Sequence, residues 1–157
     1  MASRYTARQT TVRFEDGAAA GLTIGPGEGN LTLSNIREGN QEVVPKYNRG
    51  AHDGFVKTQD LVQDCSISIE LENQTITDGS NARVLDFMRK AGTYASATSL
   101  DTTIWAWKTI ITMTDGATTS TITLPVCEGS FDFGEAAEGN TISVSFRCHG
   151  APVFAAS

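Results

Sequence analysis

A chain of 157 residues is long enough to bury one hydrophobic core and short for two, so a single domain over residues 1–157 is expected. Its formal net charge of -6 argues against binding a phosphate backbone, because nucleic-acid binders carry a basic footprint. Charged residues at 19%, hydrophobic residues at 39% and 15 glycines exclude a disordered tail and suit an ordered, turn-rich globular protein. No apolar run approaches the roughly 20 residues that span a bilayer, and MASRYTARQTT does not resemble a signal peptide. A soluble chain made in a cytoplasm is therefore predicted. Two of the three cysteines, Cys65, Cys127 and Cys148, continue the apolar face of a strand, so core thiols are expected in preference to a disulfide.

Four Asp-Gly pairs, at Asp16-Gly17, Asp53-Gly54, Asp78-Gly79 and Asp115-Gly116, punctuate the chain, since Asp-Gly tolerates the positive φ of tight turns. The first strand is expected from about Tyr5 to Phe14, with Leu22 to Ile24 pairing back after the turn. The GPGEG stretch at Gly25 to Gly29 breaks the chain, and Leu31 and Leu33 begin another strand that continues through Ile36, Val43 and Val44. Residues 38–60 are mixed in charge and poor in core groups, and are expected to form a protruding hairpin folded around Asp53-Gly54. Connections beyond about 12 to 15 residues are uncommon in compact domains unless functional or disordered. The segment is thus the leading candidate for partner contact, with a surface loop as the alternative.

From Asp64 to Glu72, the residues Cys65, Ile67, Ile69 and Leu71 alternate with polar ones, as in a strand buried on one face. Asn81 to Ala91 reads as a helix with Val84, Leu85 and Met88 at helical spacing, Ser80 or Asp78 as N-cap and Gly92 as C-cap. Thr103 to Thr114 is rich in β-branched and aromatic residues and is expected to be a strand. After Asp115-Gly116 a strand returns through Thr118 to Val126, with Ile122, Leu124 and Val126 facing one way. Phe131 and Phe133 anchor a short strand, and a loop at Glu135 to Asn140 leads to Thr141–Cys148, where Ile142, Val144, Phe146 and Cys148 alternate with Thr141, Ser143, Ser145 and Arg147. About eight strands and one helix make the fold mainly β: an antiparallel β-sandwich or part-open barrel with one flanking α-helix and a long extended hairpin.

Chemistry is sparse. His52 and His149 lie in no HExxH pattern and near no nucleophile motif, and Cys65 and Cys127 are better explained as core than as nucleophiles. There is no CxxC and no EF-hand spacing, and the glycines at 25, 27 and 29 are followed by no Lys-Ser/Thr pair. Glu70 and Glu72 share a strand face but lack a sugar platform beside them. Trp105 and Trp107 share a face and offer either a carbohydrate platform or buried aromatics. No enzyme activity, cofactor or metal is expected.

The order of elements, with the polar hairpin, the helix NARVLDFMRKAG, Phe131-Asp132-Phe133, the acidic loop Glu135 to Asn140 and the final EGNTISVSFRCHG, resembles the tail tube proteins of tailed bacteriophages over nearly the whole chain. The resemblance implies a β-sandwich subunit in hexameric rings that stack into a hollow tube through which DNA passes without specific binding. It places the protein in the virion tail, assembled in the host cytoplasm, with itself, the tape measure, the tail tip and the terminator as partners and no membrane. Tyr47, Arg49, His52, Phe55 and Lys57 become inter-ring contact candidates. Ser66, Ser68, Glu70, Glu72, Asp132, Ser143 and Ser145, with Thr141, become lumen-facing candidates. Arg147 fits that face only beside a carboxylate; otherwise its strand belongs to the outer sheet. Two other readings stay open: a carbohydrate-binding β-sandwich using Trp105 and Trp107, and a capsid decoration or tail-completion protein.

Overall fold

The computed structural model describes residues 10–24, 30–33, 41–71, 84–115, 117–136 and 139–157. Among the described residues, nine antiparallel strands pair in one sheet that curls into a half-barrel, so the part-open barrel describes it better than the sandwich. In chain order these are β1 (Thr10–Glu15), β2 (Gly21–Ile24), β3 (Asn30–Leu33), β4 (Gln41–Asn48), β5 (Ala51–Leu71), β6 (Trp107–Asp115), β7 (Thr118–Ala136), β8 (Gly139–His149) and β9 (Val153–Ala156). The spatial order is β2-β1-β6-β7-β8-β5-β3, with β4 on β5 and β9 on β7. A short helix α1 (Val84–Met88) lies between β5 and β6 in sequence, followed by a 3-10 turn at Gly92–Tyr94.

Alternation decides which face is dry. Val12 and Phe14 of β1, Trp107 and Ile111 of β6, Leu124 and Cys127 of β7, and Val144, Phe146 and Cys148 of β8 form the buried core, and α1 adds Val84 and Phe87 over them. Phe14 sits at its centre, 5.8 Å from Phe87, 6.3 Å from Trp107 and 6.2 Å from Phe146 between ring centroids. These distances fall in the offset and edge-on range that aromatic pairs favour. On the opposite face of β1, Glu15 accepts from Arg13 Nε at 2.8 Å and from Lys108 Nζ at 3.0 Å, across the Glu15↔Lys108 register pair. The Arg13 hydrogen bond, opposed by burial and aided by Lys108, holds the Glu15 carboxyl below its ordinary value.

Asp16 closes the β1–β2 turn through its carboxylate, and the residue at positive φ there is Ala19, at 63°, not Gly17. Its Oδ1 accepts from the backbone N–H of Ala18 and Ala20, and its Oδ2 from that of Thr98, all within 3.0 Å. Burial pushes this carboxyl up, but the three backbone donors outweigh it and leave it below the ordinary aspartate value.

Several boundaries differ from expectation for identifiable reasons. The hairpin does not fold around Asp53-Gly54: Asn48 pairs with Ala51, and the two-residue turn is Arg49-Gly50, with φ of 49° and 83°. Both central residues at positive φ make this the turn that matches strand twist. Asp53-Gly54 instead lies inside β5, where Pro45↔Phe55 is followed by Tyr47↔His52, so one extra residue bulges out and Gly54 takes φ 110°. Because arginine bears the steric cost of the left-handed conformation, Arg49→Asn is expected to stabilise the protein by about 0.5–1 kcal/mol. Urea unfolding should show a higher midpoint at unchanged slope; an unchanged midpoint would refute the turn assignment.

The helix also ends before Gly92. Lys90 N–H bonds to Phe87 C=O and Ala91 N–H to Asp86 C=O, a Schellman pair whose left-handed residue is Lys90, at φ 51°. Lys90 Nζ lies 5.7 Å from the Trp105 ring centroid, a cation–π contact that opposes the strain. Residues 81–83 and the proposed caps Asp78 and Ser80 fall outside the described residues, as do Tyr5, Ile36 and the Asp78-Gly79 pair. Strand β6 starts at Trp107 and not Thr103, because Asp101 Oδ1 accepts from the N–H of Thr103 and Ile104, and Ser99 Oγ takes the N–H of Ala106. Such local bonds outcompete the ladder.

The two strands expected at Thr118–Val126 and around Phe131 are one strand of 19 residues, β7. A register shift between Trp107/Thr109 and Cys127/Leu124 puts both Leu124 and Cys127 inward, so Val126 does not continue the dry face. Gly129 in this strand is a close approach: an added Cβ would lie 2.5 Å from Phe146 Cα. Strand β9, bonded to β7 from Ser120↔Ala156 to Thr123↔Val153, had no sequence signal.

Candidate functional site

The central three strands bring most of the lumen-facing candidates together. Register places Ser68, Ser143 and Asp132 in one row across β5, β8 and β7, and Ser66, Ser145 and Ser130 in the next. Glu70 pairs with Thr141 one row further on. Positions two apart in a strand share a face, so Asp132, Ser143 and Ser145 belong to the face opposite buried Val144 and Phe146, with Ser66 and Ser68 as register partners of Ser145 and Ser143. Asp132 and Ser145 are exposed and Ser143 is half-buried. Glu72 lies outside the described residues.

Arg147 sits in the row Asp64↔Arg147↔Glu128, with a carboxylate-bearing residue as register partner on each neighbouring strand. Opposite charges directly across a ladder are favourable, so this register offers Arg147 an acidic neighbour on each side. Beside it, His149 Nε2 is 3.3 Å from Glu128 Oε1.

The hairpin brings together three of the five contact candidates. Tyr47 and Phe55 are 66% and 65% exposed, and His52 lies between them at 5.9 Å and 4.5 Å. The bulge at Gly54 makes this possible, because the extra residue re-aims Phe55 relative to the turn. Val44 and Val56 are also exposed and are register partners below the aromatics. Arg49 occupies the turn itself, while Lys57 is the register partner of Val43. The hairpin thus carries four large exposed apolar groups, Val44, Tyr47, Phe55 and Val56.

A second exposed apolar patch was not foreseen. Phe154 and Val153 of β9 are each 57% exposed, and Phe154 lies with Met113, Ile122 and Ala156 in an open groove of about 350 Å³. Sequence reasoning missed it because VFAA is too short and follows a Gly-Ala-Pro break.

Trp107 is 1% exposed and Trp105 packs against the core from the side, at 5.3 Å from Phe87. The exposed pair of indoles that a carbohydrate platform needs is therefore absent. Among the described residues, no group of three or more His, Cys, Asp or Glu is placed to hold a metal ion, and no helix is long and apolar enough to cross a membrane.

No family model matches the chain, and no curated protein matches it. A solved structure does: the cryo-EM structure of the anti-feeding prophage cap, described as a tube terminating cap, superposes with a TM-score of 0.58 over 100% of this chain and 94% of that chain, at 10% sequence identity. At that identity the likeness is one of architecture, and the chain has the fold of this tube-terminating cap.

Proposed function

We propose that this chain is a non-catalytic structural subunit of a phage-type tail, forming a ring with copies of itself around a conduit for DNA. The observation that carries the reading is the end-to-end fold likeness to a tube-terminating cap. The contiguous hydroxyl and carboxylate face across β5, β8 and β7 suits the wall of an aqueous channel. A polyanion moving through such a channel needs weak contacts, because each Lys or Arg bound to phosphate releases counterions and slows escape. The net charge of -6 fits that need, and Arg147 stands between acidic register partners.

The hairpin supplies the axial contact in this reading: Tyr47, His52 and Phe55 reach a neighbouring ring or another tail protein such as the terminator or tape measure. A ring of this kind serves either along the tube or once at its end, and the cap fold favours the end. Electron microscopy of the purified protein, alone and with other tail proteins, tests it. Rings with a central hole are expected; a persistent monomer under every condition would sink the reading. In Tyr47→Ala/Phe55→Ala, loss of two aromatic anchors should weaken ring-to-partner joining by at least about 30-fold, with circular dichroism unchanged. Joining at parental strength would remove the hairpin from the interface.

A further inference from the structure

We propose that Cys127 and Cys148 are a latent cross-strand disulfide: a dithiol that a two-electron thiol oxidant converts into an intramolecular bond between β7 and β8. The two residues are direct register partners, and both are fully buried as thiols. Partners across an antiparallel ladder have Cα atoms about 4.5 or 5.5 Å apart, depending on whether the pair is hydrogen-bonded. Both values lie within the roughly 4.4–6.8 Å that a disulfide spans, so the backbone has no large distance to cover.

The sulfurs already interact. A hydrogen bond from the Cys127 side chain, opposed by burial and aided by the Val126 backbone, holds the Cys148 thiol below its ordinary value. The thiolate is the attacking species, which makes Cys148 the first to react. Its burial is that of a strand end: Cys148 is the penultimate residue of β8, followed by half-exposed His149 and by Gly150 at φ 117°. Terminal rungs open at low cost, giving an oxidant a route that the middle of the ladder lacks.

With glutathione disulfide as oxidant, the Cys148 thiolate attacks one glutathione sulfur and expels a glutathione thiolate, leaving a mixed disulfide. Cys127 then attacks the Cys148 sulfur and releases the second glutathione. The protein loses two electrons and two protons, and two glutathione molecules are formed. Cys65 has Phe146, not a cysteine, as its partner on β8 and stays outside the exchange.

The three cysteines fall on three tryptic peptides, ending at Arg83, Arg147 and the C-terminal Ser157, so peptide mapping identifies the pair. Reduced protein incubated with glutathione disulfide, quenched and digested without reductant, is expected to yield the peptide containing Cys127 joined to that beginning at Cys148, lighter by two hydrogens. Closing this loop should raise the thermal midpoint by roughly 5–10 °C. Cys65→Ser should retain the bond, and Cys127→Ser should lose it. Wild-type protein whose Cys127 and Cys148 are both alkylated after oxidation and unfolding, or a link to the peptide of Cys65, would overturn the proposal whether or not the variants fold.

Discussion

Trp107→Ala is expected to destabilise the protein by about 3–5 kcal/mol, the largest effect of any single substitution proposed for this chain. The indole is 1% exposed and lies within 6.4 Å of Phe14, Phe87, Trp105 and Phe146, so its removal leaves a cavity that touches the sheet, the helix and the loop before β6. Neighbouring rings on rigid strands cannot collapse into that space. Trp107→Phe should cost much less, about 1.5 kcal/mol or under, because the ring is largely kept and Trp107 Nε1 has no hydrogen-bond partner among the described residues. Equilibrium denaturation of both variants checks the pair of values; a costly Phe would mean that the N–H has a partner.

Asp16→Ala is expected to cost about 2–3 kcal/mol near neutral pH. One carboxylate satisfies three backbone donors, those of Ala18, Ala20 and Thr98, and thereby ties the β1–β2 turn to the loop before β6. Charge-assisted bonds are stronger than neutral ones, but the flanking residues are exposed and water recovers part of the loss. The carboxyl is held below its ordinary value of 3.8 in the folded state. Its contribution is therefore fully present above about pH 4 and is lost as pH falls through the folded value. The gap between parent and variant should narrow in that acid range, and a gap independent of pH would show that the charge is not what matters.

Local pattern made some features of this fold legible and long-range pairing hid others. The alternation in Thr141–Cys148 correctly gave one dry and one wet side, with Val144, Phe146 and Cys148 buried and Ser145 and Arg147 exposed. Which strands lie beside it was not legible, and that pairing is what puts Asp132 beside Ser143 and brackets Arg147 with Asp64 and Glu128. The hairpin was visible from its poverty of core residues, but its turn was not, because Asp53-Gly54 is the stronger local signal and Arg49-Gly50 the one that closes the loop. Of the contact candidates, Tyr47, His52 and Phe55 cluster only because a bulge changes their phase, something no period-two pattern reveals.

The continuity of β5 has a mechanical consequence. The hairpin is not hung from a loop: its second strand runs without interruption into the ten register pairs from Val62↔His149 to Leu71↔Asn140. Ladder hydrogen bonds lie across the strand axis, so tension applied at the tip along β5 loads them in shear, together, and not one after another as in peeling. A pull on Tyr47 or Phe55 is thus delivered into the middle of the sheet, and the hairpin and the sheet behave as a single tether.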